Sequence, residues 1–274
     1  MADIVSEQPT PLARPKPEPS VSHRRFGIAY LVLAAIVGAA VGLLVVFATG
    51  DDSHKATGPA WSAWAPQTTG TLGVREIARH VSSQYHLENG ALLTSVIAGP
   101  TQIESSQGPI PVSAILVRSG KAGLRQERIG IAFPEAGAFY QLVGTGQNRT
   151  IPGRATVARG ELVRREALEL ALYTFHYLPQ ADYVLAFMPP PTGVTPQSPL
   201  FNRVVFLPRT ALAGELQRPL KQTLPPGEAK ITPSALTPEQ SNAIEALTAG
   251  RVFHWDFQQA VDQSALLVLS PVTG

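Results

Sequence analysis

The sequence predicts an α+β domain, a largely antiparallel sheet packed against helices, held behind a single N-terminal transmembrane helix. Three observations carry this. Phe26 to Ala48 is an uninterrupted run without a charged residue or a proline. Short apolar and β-branched segments then follow one another across short turn-rich connections, as strands do. Two stretches with helical spacing, residues 161–178 and 237–249, are long enough to pack across such a sheet.

At about 1.5 Å per residue the 26–48 run reaches roughly 34 Å, enough to cross a hydrocarbon core of about 30 Å. Residues 1–25 form the tail before it, with Pro9, Pro11, Pro15, Pro17 and Pro19 among polar residues. Such a composition cannot bury enough apolar surface to fold. Arg14, Lys16, Arg24 and Arg25 precede the run, whereas Asp51 and Asp52 follow it with only Lys55 nearby. Basic residues resist translocation, so the expected topology is single-pass, N-terminus cytoplasmic and C-terminal domain outside the plasma membrane. A cleaved signal peptide would have an apolar core of about 7–15 residues. This run is longer, although Val46-Phe47-Ala48 resembles a cleavage site. Arg24-Arg25 also fits the start of a twin-arginine signal, but paired basic residues commonly hold the inner end of a membrane helix.

Within the run, Ala34, Gly38 and Gly42 share one helical stripe. Missing side chains there let two backbones approach, so the stripe predicts helix–helix interaction and a homo-oligomer.

Residues 49–70 read as a linker rich in Gly, Ser, Thr and Pro, with Trp61 and Trp64 suited either to the headgroup belt or to packing on the domain. Residues 71–274 form the extracytoplasmic domain, with a sub-boundary, if there is one, near 145–160. Val74 to Gln84 is an amphipathic helix, closed by Glu88-Asn89-Gly90. Glu76 and His80, four residues apart in it, read as a solvated ion pair. Strands are expected over 91–98, 111–118, 127–133 and 138–143, the second and third forming a hairpin, and short connections predict antiparallel pairing. Gly144-Thr145-Gly146 closes the fourth. Asn148-Arg149-Thr150 has the form of a glycosylation sequon, which matters only in a eukaryotic secretory pathway.

Glu161 to Leu178 is the longest helix of the domain. Glu161, Arg165 and Glu169 are spaced for i,i+4 pairing in its first half, and its second half is apolar nearly all round. Residues 181–188 and 201–207 read as a strand pair around a stiff proline-rich loop, 188–199, which suits either a rigid connection or a docking surface. Thr210 to Gln217 is a short helix. Thr237-Pro238-Glu239-Gln240 is a capping box with proline in the first turn. In the strand 251–257, Phe253, Trp255 and Phe257 lie on one face and His254 and Asp256 on the other. Residues 265–269 form a final, central strand.

The absence of cysteine excludes a disulfide framework and thiolate metal ligands. Arg exceeds Lys, and Ala and Pro are plentiful, a usage expected of a G+C-rich bacterial gene. The small positive net charge is spread over the chain without the basic stripe of a nucleic-acid binder. There is no H-E-x-x-H, G-x-S-x-G or S-x-x-K pattern, and Ser119-Gly120-Lys121 lacks the earlier glycine and the hydroxyl of a phosphate loop. None of the five lysines stands in a recognisable catalytic context. His254 and Asp256 are the one pair in which a carboxylate could orient an imidazole, with His176 as a more distant third group. No nucleophile, cofactor motif or metal cluster accompanies them.

The expected function is therefore a non-catalytic binding or assembly module of the cell envelope, with the lipid bilayer, a second copy and an envelope protein as partners. The alternative is an extracytoplasmic envelope hydrolase whose residues converge from distant positions.

Overall fold

The structure, a computed structural model, describes residues 60–99, 102–105, 108–120, 128–195, 198, 200–225, 230–259 and 264–272. The tail, the predicted membrane helix with Ala34, Gly38 and Gly42, and linker residues 49–59 lie outside them. No helix among the described residues is long and apolar enough to cross a membrane. The chain divides after Gly58, and everything described belongs to the unit that begins at Pro59.

Helix α1 (Gly70–Ser82) buries Gly73, Ile77, Ala78 and Val81 on one face. It starts four residues before the predicted Val74. Gly90, at φ +83, then reverses the chain, with Leu87 N–H bonded to the Ala91 carbonyl at 2.7 Å.

Nine strands follow: β1 (Ser95–Ala98), β2 (Gln102–Ser105), β3 (Gly108–Ser119), β4 (Arg128–Ala132), β5 (Gly137–Val143), β6 (Tyr183–Phe187), β7 (Arg203–Pro208), β8 (Val252–Gln259) and β9 (Ala265–Pro271). Between β5 and β6 runs α2 (Val157–Tyr177). Between β7 and β8 lie two single-turn helices, α3 (Ala213–Leu216) and α4 (Leu220–Thr223), and then α5 (Pro238–Thr248). The sheet order is β1-β5-β6-β7-β8-β9-β3, with β2 and β4 both antiparallel to β3 at different points along it.

The architecture is α+β with a mostly antiparallel sheet, as expected. The β3–β4 hairpin forms, and β6–β7 and β8–β9 are antiparallel. Two pairs are parallel, β5–β6 and β3–β9. In the first, α2 carries the chain back to the starting end, which a short turn cannot do. Because β5 and β6 pair directly, the residues on either side of 145–160 share one sheet. Strand β2 was not expected from its sequence. Strand β3 begins before Pro111, and β9 pairs with it only from Val112 onward, so neither Pro109 nor Pro111 is asked for a bond on that side.

Helix α2 begins at Val157 rather than Glu161, because Thr156 caps it by accepting the Arg159 N–H at 3.2 Å. At α5 the predicted capping box forms in full. Strand β9 lies inside the sheet between β8 and β3.

The sheet buries both faces. On one, α1 and α2 pack on Tyr140, Leu142, Val184, Ala186, Val205 and Leu207. On the other, Phe139, Leu185, Val204, Phe253, Leu267 and Ile115 form a second core. Strands β5 and β6 are therefore apolar at nearly every position. The second face also brings β3 close to the 3₁₀ turn Pro134–Ala136 that precedes β5, so the sheet curls towards that side.

Candidate functional site

The curled face carries an aromatic groove of about 340 Å³. Strand alternation builds its floor: Phe139 from β5, Phe187 from β6, and Trp255 and Phe257 from β8 point the same way, with the exposed Gln141 of β5 and Ile97 of β1 beside them. Phe187 meets the edge of Trp255 with ring centroids 5.5 Å apart, and Trp255 meets Phe257 at 5.2 Å. These are the edge-to-face contacts that fix aromatic rings in place. Ile97 is 55% exposed, so the groove opens to water at that end.

Its rim is polar: Gln141, Asn148, Arg149 and Asn202. The segment after β5 sets the position of Asn148 and Arg149. Gly144 and Gly146 lie so close to Thr150 that a Cβ on Gly144 would stand 2.1 Å from the Thr150 carbonyl oxygen. The Gly144 N–H bonds to Arg149 O at 2.9 Å and the Gly146 N–H to Thr150 O at 2.8 Å. This tight closure holds Asn148 at φ +53 and Arg149 at φ +60. Left-handed backbone at two successive residues other than glycine costs of order 1–3 kcal/mol each, a strain that clusters at ligand sites. Among the described residues, Arg149 is the only charged residue lining the groove, and its guanidinium makes no hydrogen bond or ion pair there. Met188, Pro189 and Pro190 of the predicted stiff loop form one wall.

A second concavity, of about 460 Å³, lies on the helical side beneath linker residues 60–64. Trp61 stacks on His176 at 4.1 Å and Trp64 on His80 at 3.9 Å, with Tyr173 edge-on to both indoles. The linker backbone is tied as well. Trp64 O accepts from the Tyr177 hydroxyl at 3.0 Å, and Trp61 O from the Leu220 N–H at 2.9 Å. Both tryptophans therefore pack on the domain. Glu76 and His80 do not pair with each other. Glu76 accepts from Gln67 N–H and the Thr68 hydroxyl, which hold its carboxyl below the usual range, while His80 carries Trp64. Burial lowers the pKa of both His80 and His176.

Arg165 and Glu169, spaced for a surface pair, are buried, and so is Glu166. Glu169 accepts from the Tyr85 hydroxyl in a short bond and from Gln84 at 3.3 Å. Burial raises its pKa, against the opposing pull of Tyr85 and Arg165. Glu166 accepts from the Thr94 hydroxyl at 2.8 Å, and its other oxygen has no partner. Burial pushes its pKa up to about 8, so it holds a proton at neutral pH. Arg165, buried in the same cluster, is the cation that opposes the rise at Glu169, and its own guanidinium donates to Pro225 O at 2.7 Å.

His254 and Asp256 share a face of β8 as predicted, but they form no bond with each other. Asp256 is exposed and accepts from the Phe257 N–H at 2.8 Å. His254 is half-buried beside Arg203 of β7, with its Nδ1 buried and unpartnered. His176 is engaged by Trp61. Among the described residues no group of His, Asp and Glu could hold a metal ion.

The Phe253/Trp255/Phe257 face was visible in the sequence as an alternation. The partners of that face were not, because they arrive from β1, β5, β6 and the loops after β5 and β6. The glycine pair 144/146 was the one local signal for the rim. No family model, no curated protein and no solved structure matches this chain.

Proposed function

We propose that this chain is a membrane-anchored, non-catalytic binding module of the cell envelope, and that the aromatic groove is its ligand site. The carrying observation is the pairing of an open aromatic floor with one unpartnered cation, Arg149, held on strained backbone. The ligand that complements it has a flat or apolar body and a single anionic group. Membrane anchorage rests on the 26–48 run and its basic flank, and a reporter fused after Gly274 tests it: activity outside the membrane is expected, and activity confined to the cytoplasm would refute it.

The groove itself is tested with 1-anilinonaphthalene-8-sulfonate, an aromatic body carrying one sulfonate, titrated against residues 59–274. Saturable binding is expected, weakened at least tenfold by Trp255→Ala and clearly by Arg149→Gln. Equal binding to all three proteins would place the dye elsewhere and remove the reading.

A second reading, an envelope hydrolase, draws on Glu169, a carboxyl with a raised pKa lining the cavity beneath the linker. Both of its oxygens are engaged, one by the Tyr85 hydroxyl and one by the Gln84 amide. Hydrolysis by the purified chain that is abolished by Glu169→Gln, with the fold intact, would favour this reading over the first.

A further inference from the structure

On the helical side of the sheet, behind the same proline wall, lies a smaller cavity of about 150 Å³. It is walled by Met188 to Thr192, by the first turn of α2 and by Arg203 of β7. Two of its lining residues, Arg159 and Arg203, are cationic, and none is acidic. Arg159 is anchored, donating to Pro152 O at 2.6 Å and Gly153 O at 3.0 Å. Arg203 is not. Its side chain makes no hydrogen bond or ion pair among the described residues, and its Nε is buried. Across the β7–β8 ladder stands His254, whose Nδ1 is also buried without a partner.

A buried donor left without an acceptor costs about 1–3 kcal/mol, and more when charged. Such a group is uncommon in a folded protein unless something outside the chain supplies the acceptor. The positive end of α2 adds to the same sign of potential. At roughly 30 Å³ per water, the cavity could hold about five waters, so a tetrahedral oxyanion with part of its hydration shell fits.

We propose that this cavity is an oxyanion site, in which Arg203 binds a phosphate group as a planar two-pronged donor and Arg159 supplies a second, fixed charge. The chemistry is that of guanidinium–phosphate pairing, favoured because the fork matches two oxygens at once. It does not depend on what occupies the groove.

The test uses the full chain in a maltoside detergent, which carries no phosphate. Inorganic phosphate is titrated at constant ionic strength against chloride, read by thermal shift and by ³¹P line broadening. Saturable stabilisation is expected, weakened at least tenfold in Arg203→Gln and unchanged in Arg75→Gln, an exposed arginine on α1. Arg203→Lys keeps the charge but loses the fork, so intermediate weakening is expected, and it serves if the Gln variant does not fold. A parallel titration with dihexanoyl phosphatidic acid below its micelle concentration separates the sources. Tighter binding than phosphate, with mutual competition, assigns a lipid head group; equal binding assigns a free oxyanion. A phosphate effect no larger than that of chloride, or one undiminished in both Arg203 variants, would overturn the proposal.

Discussion

Glu166→Gln isolates the most exacting electrostatic feature of the fold. The carboxyl is fully buried in mid-helix and is pushed up to about 8 from 4.5, first by burial and then by the nearby Glu169 charge. Between those values the unfolded chain has released this proton while the folded chain keeps it. The contribution of the group to stability is therefore full below about pH 4.5, falls as the pH rises, and is lost through about pH 8. The slope is about 1.4 kcal/mol per pH unit, and over the whole range it amounts to about 5 kcal/mol. Gln copies the protonated carboxyl in shape, and its Oε1 can accept the same Thr94 hydroxyl, but it has no proton to lose. The two proteins should be within about 1 kcal/mol of each other near pH 5. The variant should then gain on the parent by about 3 kcal/mol by about pH 7.5. Urea unfolding at a series of pH values measures the difference directly. Parallel stability curves would show that Glu166 is not held protonated in the folded chain and would refute the reasoning.

Three further outcomes are expected. Burial lowers the pKa of His80 and His176, so the stacking of the linker on α1 and α2 is complete above about pH 6.5 and weakens as the pH falls below it. Hydrogen exchange at residues 61–68 should accelerate in mild acid, and exchange independent of pH after intrinsic-rate correction would contradict this. Gly144→Ala forces a Cβ into the Thr150 carbonyl and should cost about 1–3 kcal/mol while releasing Arg149 from the groove rim. An unchanged melting temperature with unchanged dye binding would show the loop to be tolerant. In the predicted membrane segment, Gly38→Leu with Gly42→Leu, on the stripe shared with Ala34, should lower self-association of the isolated helix in a membrane reporter assay, and no change would argue against the predicted helix–helix contact.

What could be read from the sequence was what local chemistry decides. The Thr237–Gln240 capping box, the β3–β4 hairpin and the two faces of β8 all depend on residues within a few positions of one another. Chain direction was less accessible. The parallel β5–β6 and β3–β9 pairs are set by what lies between the strands and by packing at long range. Arg165 and Glu169 had the spacing of a solvated pair and became buried because α2 is covered by α1, the linker and the α4 region. Nothing in their own sequence reports that cover. The groove was half visible: Phe253, Trp255 and Phe257 announced an apolar face, but Phe139 and Phe187 reach it only through the long-range register of β5, β6, β7 and β8, and Arg149 through the closure of the turn after β5. The His254–Asp256 pair shows the converse, a spacing that suited chemistry on a face where the two groups turn to other neighbours.

Binding through the groove is tested most directly by photo-crosslinking in the cell, with a benzophenone amino acid replacing Gln141 at the groove rim of the full chain. Its exposed counterpart on α1, Leu72, provides the control position. A discrete adduct is expected from position 141 that is absent from position 72 and disappears when Trp255→Ala is added. An identical pattern from both positions, or an adduct that survives Trp255→Ala, would contradict binding through the groove.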